Sequence, residues 1–189
     1  MLSYTELKPG VCIVIDGQPY MVLESEFLRM QQRQPVMKAK LRNLMTGKTV
    51  DRSFQPSDKI EEAELAKMKS RFIYESRGDF WFDEIGNPKN RFSLKVEEIG
   101  EAAKFLKPNL EITALIFAGK VINIELSIKA DYKVVEAPPA IKGDTAQGGT
   151  KVVVIETGAK ISAPLFINEG DIIRINTTTG NYVERIEKA

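Results

Sequence analysis

The stretch Ser25-Glu-Phe-Leu-Arg-Met-Gln-Gln-Arg-Gln-Pro-Val-Met-Lys-Ala-Lys-Leu-Arg-Asn-Leu44 reads as two strands joined by a polar, cationic tip, Arg29-Met-Gln-Gln-Arg-Gln34. Its second half alternates: Met37, Ala39 and Leu41 fall on one face, Lys38, Lys40 and Arg42 on the other. A period of two marks a half-buried strand and sets three cations in one row opposite an apolar face. Such a row beneath a long-armed tip suits tracking a phosphate backbone while the tip enters a narrow space. An ordinary solvated sheet face has the same pattern, so the residues alone leave both readings open.

Working outward, turn signals divide the chain into three groups of strands. Residues 11–15 and 20–27 flank Asp16-Gly17-Gln-Pro19, and residues 35–44 and 49–54 flank Met45-Thr46-Gly47-Lys48. With a short edge segment these predict a small barrel ending near Lys59, because closure removes the exposed edges of a short sheet. In the second group, residues 69–75 and 79–83 surround Ser76-Arg77-Gly78, and residues 111–117 and 121–126 surround Ala118-Gly119-Lys120. Val96, Ile99, Ala103 and Leu106 recur near helical spacing, which predicts one short helix over residues 96–106. Strands with a single interposed helix suggest a five-stranded Greek-key barrel of the OB type. The third group has strands at 132–135, 151–156, 160–163, 171–176 and 182–186. Its Pro- and Gly-rich loop over 137–149 is of a length that is usually functional or disordered.

Composition excludes several classes. The 189 residues carry 27 basic and 26 acidic side chains, so the chain is no uniformly basic nucleic-acid coat. The excess is local: residues 25–52 hold 7 basic against 2 acidic residues, net +5. Focused positive charge favours an RNA or phosphate partner over a small-molecule substrate. No apolar run approaches the roughly 20 residues that span a bilayer, and no signal peptide is expected from Met-Leu-Ser-Tyr-Thr-Glu-Leu-Lys8. The one cysteine, Cys12, sits in the apolar run at residues 11–15 and reads as a small buried hydrophobe in a reducing compartment. Histidine is absent, as are a phosphate-binding glycine loop and a Cys-x-x-Cys pair. Glu61, Glu62, Glu64, Glu97 and Glu98 look like solvated surface. No catalytic constellation, metal site or cofactor is therefore expected.

Over essentially its full length the chain resembles bacterial translation elongation factor P. The N-terminal match is Ser25-Glu-Phe27, Lys40-Leu-Arg-Asn-Leu-Met-Thr-Gly47 and Phe54. The C-terminal match runs through Ile141-Lys-Gly-Asp-Thr-Ala146, Gly148-Gly149, Lys151, Thr157-Gly158, Pro164-Leu-Phe166 and Glu169-Gly-Asp171. It continues through Ile173-Arg-Ile-Asn176, Thr179-Gly180, Tyr182 and Arg185. The resemblance implies an all-β chain of three small barrels in an L-shaped array, a KOW/SH3-like barrel followed by two OB barrels. The units expected are residues 1–64, 65–128 and 129–189, each with its own core. It also implies a cytoplasmic monomer that binds the ribosome beside peptidyl-tRNA and relieves stalling at consecutive prolines. The factor would position the acceptor end while the ribosome does the chemistry, so no enzyme activity is expected.

The resemblance also carries site roles over by position. The tip residues Gln31, Gln32 and Arg33 would reach toward the peptidyl-transferase centre. Arg29, Lys38, Lys40 and Arg42 would meet phosphates of the acceptor arm. Gly143, Asp144 and Thr145 would face messenger RNA in the exit site, and Tyr182 and Arg185 the anticodon stem of the tRNA. One departure stands out: Gln32 occupies the place of the family's basic, often modified residue. Modification there uses an amine or guanidine nucleophile, and a glutamine amide is neither, so the known modifications are not expected at Gln32. Arg33 could take over the role after a one-residue shift. The altered tip motivates a rival reading, a ribosome-binding module of the same family with altered or lost polyproline rescue. A purely structural or non-RNA interaction protein is the third class.

Overall fold

The computed structural model describes residues 1–29, 34–139 and 149–189. Their strands are β1 (Cys12–Ile15), β2 (Gln18–Leu28), β3 (Val36–Asn43), β4 (Thr49–Phe54), β5 (Glu61–Glu62), β6 (Ala66–Ser76), β7 (Asp79–Glu84) and β8 (Asn87–Lys95). They continue with β9 (Glu111–Phe117), β10 (Lys120–Leu126), β11 (Lys129–Glu136), β12 (Thr150–Ile155), β13 (Lys160–Pro164), β14 (Ile172–Asn176) and β15 (Asn181–Glu187). The chain is all-β. Its three five-stranded antiparallel sheets have the orders β4-β3-β2-β1-β5, β10-β9-β6-β7-β8 and β13-β12-β11-β14-β15.

Local chemistry sets the hairpins. Asp16-Gly17, Arg77-Gly78 and Ala118-Gly119 all have positive φ at both positions, the two-residue turn whose twist matches paired strands. Each is shorter than the connection expected at that point, because Ile15 pairs with Gln18, Ser76 with Asp79 and Phe117 with Lys120. The helix expected over residues 96–106 forms as one turn, α1 (Val96–Ile99), and a 3-10 segment (Gly100–Phe105). Gly100, at φ 66° and ψ −138°, breaks the α-helical path between them.

The sheets are not closed into barrels, contrary to expectation. Among the described residues no ladder joins β4 to β5, β10 to β8 or β13 to β15. In the first sheet the reason is length, since β5 has two residues and cannot carry a ladder round to β4. Side chains cover that end instead: Phe54 and Ile60 both pack into the first core, and a cleft of about 330 Å³ remains between them and Ile13. In the third sheet β11 divides its partners. Lys129–Lys133 pair with β14, and Val134 and Glu136 pair with β12, across a register shift.

Each sheet buries one face of aliphatic and aromatic residues. The first core gathers around Leu7, Ile13 and Leu41, all 0% exposed. The second gathers around Phe82, and the third around Tyr132, Ile155 and Ile173. The third core also takes in Phe105, which lies in the segment joining β8 to β9. A fourth, smaller cluster joins Leu44 to Leu115 and Ile122, with Cys12 and Met21 against it. Cys12 is thus half-buried at a seam, and burial pushes its thiol pKa up, which suits an inert small hydrophobe.

Candidate nucleic-acid interface

β3 shows the expected alternation. Met37, Ala39 and Leu41 are buried, and Lys38, Lys40 and Arg42 are exposed. Arg29 is exposed just beyond the end of β2, whose last ladder pair with β3 is Leu28 with Val36. The hairpin stem therefore presents Arg29 at its far end and the basic row along its outer face. The tip residues Gln31, Gln32 and Arg33 lie outside the described residues, as do Gly143, Asp144 and Thr145.

The neighbours of the row are acidic. Lys38 lies opposite Glu26, and Lys40 lies between Glu24 and Asp51. Residues directly opposite share a face, so three carboxylates stand beside the three cations. The Lys40–Glu24 distance is 3.9 Å with both side chains largely exposed, an ion pair of the weak kind. A β-bulge at Leu23 creates this arrangement. Val22 pairs with Leu41 but Glu24 pairs with Lys40, so β2 changes face by one residue. Simple alternation from buried Val22 would have put Glu24 and Glu26 on the core side. Glu26 and Asp51 are already in the local count, so Glu24 alone lowers the net +5 to +4, and along the row itself the charges alternate in sign.

Arg42 stands apart from the two lysines. Its Nη2 lies 3.8 Å from where a Cβ on Gly100 would stand. It borders a cleft of about 330 Å³ shared with Met21 and Leu23 of the first sheet, Glu101 and Asn123 of the central region, and Thr178 of the third. Arg42 thus faces the junction of the three sheets, whereas Lys38 and Lys40 continue toward the tip.

Tyr182 and Arg185 both lie on β15. Tyr182 packs against the third core, and burial pushes its hydroxyl pKa up. Arg185 donates to the Oδ2 of Asp171 at 3.3 Å and stacks over the exposed ring of Phe166 at 5.1 Å. Asp171 is 1% exposed. Burial alone would raise its pKa, but the N–H groups of Asn168 and Ala189, with the Arg185 guanidinium, outweigh burial and hold the carboxyl below the usual range.

Sequence reasoning missed the residues that set the sheets against one another. The Asn123 Nδ2 donates to the Leu44 carbonyl at 3.0 Å, and the Tyr132 hydroxyl to the Phe105 carbonyl at 2.8 Å. Lys107 donates at 2.8 Å to the Asp131 carbonyl and to Glu156, and sits 5.0 Å from the centre of the Tyr132 ring. Thr157 donates to the Lys104 carbonyl at 2.7 Å. These are single polar residues with no spacing of their own, so only their partners reveal them.

The chain is similar to known proteins throughout. Residues 3–60 match the family described as the elongation factor P KOW-like domain, and residues 130–185 match elongation factor P, C-terminal. Elongation factor P of Moorella thermoacetica is 38% identical over 185 residues, covering 98% of this chain and 100% of the relative. That of Acetivibrio thermocellus is 37% identical over 186 residues, with 98% and 100% coverage. That of Synechococcus sp. is 36% identical over 185 residues, again with 98% and 100% coverage. Eukaryotic translation initiation factor 5A from Methanococcus jannaschii shares the fold at a TM-score of 0.50 and 13% identity, covering 67% of this chain and 90% of that one. Relatives above 30% identity along nearly the whole length decide the matter: the chain belongs to the elongation factor P family of translation elongation factors.

Proposed function

We propose that the chain binds the ribosome beside peptidyl-tRNA and promotes peptide-bond formation at consecutive prolines by holding the acceptor end in a reactive geometry. The observation that carries this is full-length similarity to elongation factor P together with a hairpin that exposes Arg29, Lys38 and Lys40 along its outer side. Positioning alone can supply much of a barrier reduction when the reacting groups are otherwise poorly oriented. Proline is such a case, since its ring restricts the backbone. In this reading the three sheets are KOW/SH3-like and OB-type modules of residues 1–64, 65–128 and 129–189. They form an L-shaped array that follows the outline of a tRNA. The partners are the ribosome, peptidyl-tRNA and messenger RNA in the exit site, the last met by Gly143, Asp144 and Thr145. Tyr182 and Arg185 lie along the anticodon stem. The factor works as a cytoplasmic monomer, without a cofactor and without enzymatic chemistry of its own.

Gln32 contributes amide hydrogen bonds near the acceptor end in place of a long cationic arm, since an amide both donates and accepts. Polyproline synthesis in a reconstituted system, with protein shown by mass to be unmodified, tests this. Stimulation is expected, and Gln32→Ala should lose about fivefold, the worth of roughly 1 kcal/mol. Failure of unmodified protein alongside an active, heavier native form would point to a modification. Full activity of Gln32→Ala with loss in Arg33→Ala would move the role to Arg33. The glutamine at the tip also favours the second reading, a ribosome-binding member with altered or lost polyproline rescue. Ribosome binding without stimulation by either form would select it.

A further inference from the structure

The central sheet carries an aromatic pair that its core does not use. β6 and β7 set Phe72 opposite Phe82 on the core side. A bulge at Ile73 then brings Tyr74 opposite Trp81 on the other face, where strict alternation would have sent Tyr74 inward. Tyr74 is 45% exposed, and neither ring belongs to a buried cluster of the described residues. The two rings stack at 22° with centroids 6.2 Å apart. Tyr74 is exposed and Trp81 half-buried beside it, an aromatic surface outside the core that a partner could cover.

The charges on this face are arranged around that pair. In the row beside it, Arg71, Asp83 and Arg91 lie abreast on β6, β7 and β8. Asp83 is 3% exposed and accepts from the Arg71 Nη2 at 2.7 Å and Nε at 3.1 Å. Its charge is met within the sheet by Arg71, and Arg91 is the exposed cation at the edge of the row, its Nε donating to the Pro88 carbonyl at 3.3 Å. On the other side of the pair lies Lys95, exposed and opposite the half-buried Asp79. Rows on one face of a strand repeat about every 7 Å, so Asp83 and Asp79 flank Trp81 on β7 while Arg91 and Lys95 stand abreast of them on the edge strand β8, one row to either side of the ring pair. Unpaired bases need open π-faces to stack on and cations beside them for their phosphates.

We propose that the outer face of β6, β7 and β8 binds single-stranded RNA, with bases stacking on Tyr74 and Trp81 and phosphates meeting Arg91 and Lys95. The face lies on a different sheet from the basic row of β3, and its binding needs neither the hairpin tip nor polyproline rescue. Stacking is tolerant of sequence, so little base preference is expected. Duplex RNA, whose bases are already stacked and paired, should not compete.

Trp81 is the single tryptophan, so its emission reports on this face. The full chain is titrated with a short oligouridylate, and with an RNA duplex of equal length, at low and raised salt. Saturable quenching by the single strand, weakened by salt, is expected. Tyr74→Ala should weaken binding roughly tenfold, within the range for losing one stacked base. Arg91→Ala should lower the log–log salt slope by roughly 0.7. Tyr74→Phe should keep wild-type affinity, which separates loss of stacking from loss of fold. Absence of quenching, equal quenching by the duplex, or unchanged affinity in folded Tyr74→Ala would each overturn the proposal. Quenching by RNA-free ribosomal proteins but not by the oligonucleotide would overturn it in favour of a protein-docking face. A chain inactive in polyproline synthesis yet quenched by oligouridylate would sink the function proposed above and leave this one standing.

Discussion

Asp171 shows how much one buried carboxylate can hold. It accepts from the Asn168 N–H at 2.9 Å, the Ala189 N–H at 3.0 Å and the Arg185 Nη1 at 3.3 Å. Because these bonds keep its folded pKa below the ordinary value, the unfolded chain takes up the proton more readily. The stabilisation is then fully present above about pH 4 and is lost as pH falls through the folded pKa. Asp171→Asn should cost about 1–3 kcal/mol at neutral pH and remove part of the acid loss. Urea midpoints measured across the acid range check both, and an unaltered acid slope would count against the assignment. Asp83 and Asp131 shift the same way, led by their hydrogen bonds from Arg71 and Arg174, so some acid sensitivity should survive in the variant. Tyr132 titrates in the opposite sense. Burial first, then Glu156 and Asp131, push its pKa well above the ordinary phenol value, so the hydroxyl remains a donor to the Phe105 carbonyl. Tyr132→Phe should cost about 1 kcal/mol by thermal unfolding, the net worth of one such bond.

At the scale of the element, β3 is specified twice over. Its inward residues fill the first core, and Leu41, 0% exposed, should cost about 2–5 kcal/mol as Leu41→Ala. Its outward lysines share their face with Glu24, Glu26 and Asp51. If Lys38 and Lys40 meet phosphates, each alanine substitution should lower the log–log salt slope of ribosome binding by roughly 0.7–0.9. Glu24→Gln with Glu26→Gln should tighten binding, because two repulsive charges leave the path of the backbone. Filter binding at several salt concentrations reads both effects. An unchanged slope in the lysine variants would return the row to an ordinary solvated face. β8 is the element that pattern reading overlooked. Its first five residues, Asn87-Pro-Lys-Asn-Arg91, are all exposed at the edge of the central sheet, so no apolar alternation marks them. Pro88 is tolerated there because an edge strand can spare a backbone donor.

For the whole molecule, the joints matter as much as the sheets. Phe105 belongs by sequence to the segment between β8 and β9 but by packing to the third core, where it meets Tyr132 at 6.1 Å between ring centroids. Phe105→Ala should therefore destabilise the third sheet by about 3–5 kcal/mol and leave the first sheet unaffected. Hydrogen exchange read separately on β11, β14 and β3 distinguishes this from a loss confined to the central sheet. Leu44 and Asn123 make the equivalent connection on the other side, through the Leu115–Ile122 cluster and the bond to the Leu44 carbonyl. An array joined in this way can hold a long, stiff partner at several points at once, as the proposed positioning of a tRNA requires.

What the residues by themselves determined was local. Period-two burial placed β3 to within a residue, because a strand's two faces are written in its own neighbours, and the flanking turn signals bounded β4 and β9 to the residue. Glycine-bearing turns located the hairpins, and ordered motifs along the chain pointed to the elongation factor P family. What only the tertiary structure decided was which side chains meet. One-residue bulges at Leu23 and Ile73 leave no turn signal, yet each reverses the face taken by the next residues of its strand. The first sets Glu24 and Glu26 beside the basic row, and the second turns Tyr74 outward to Trp81. Arg42 at Gly100, Arg185 at Asp171 and Phe105 in the third core are pairings across long sequence separations. Such contacts depend on register and packing between distant segments, and no local pattern encodes them.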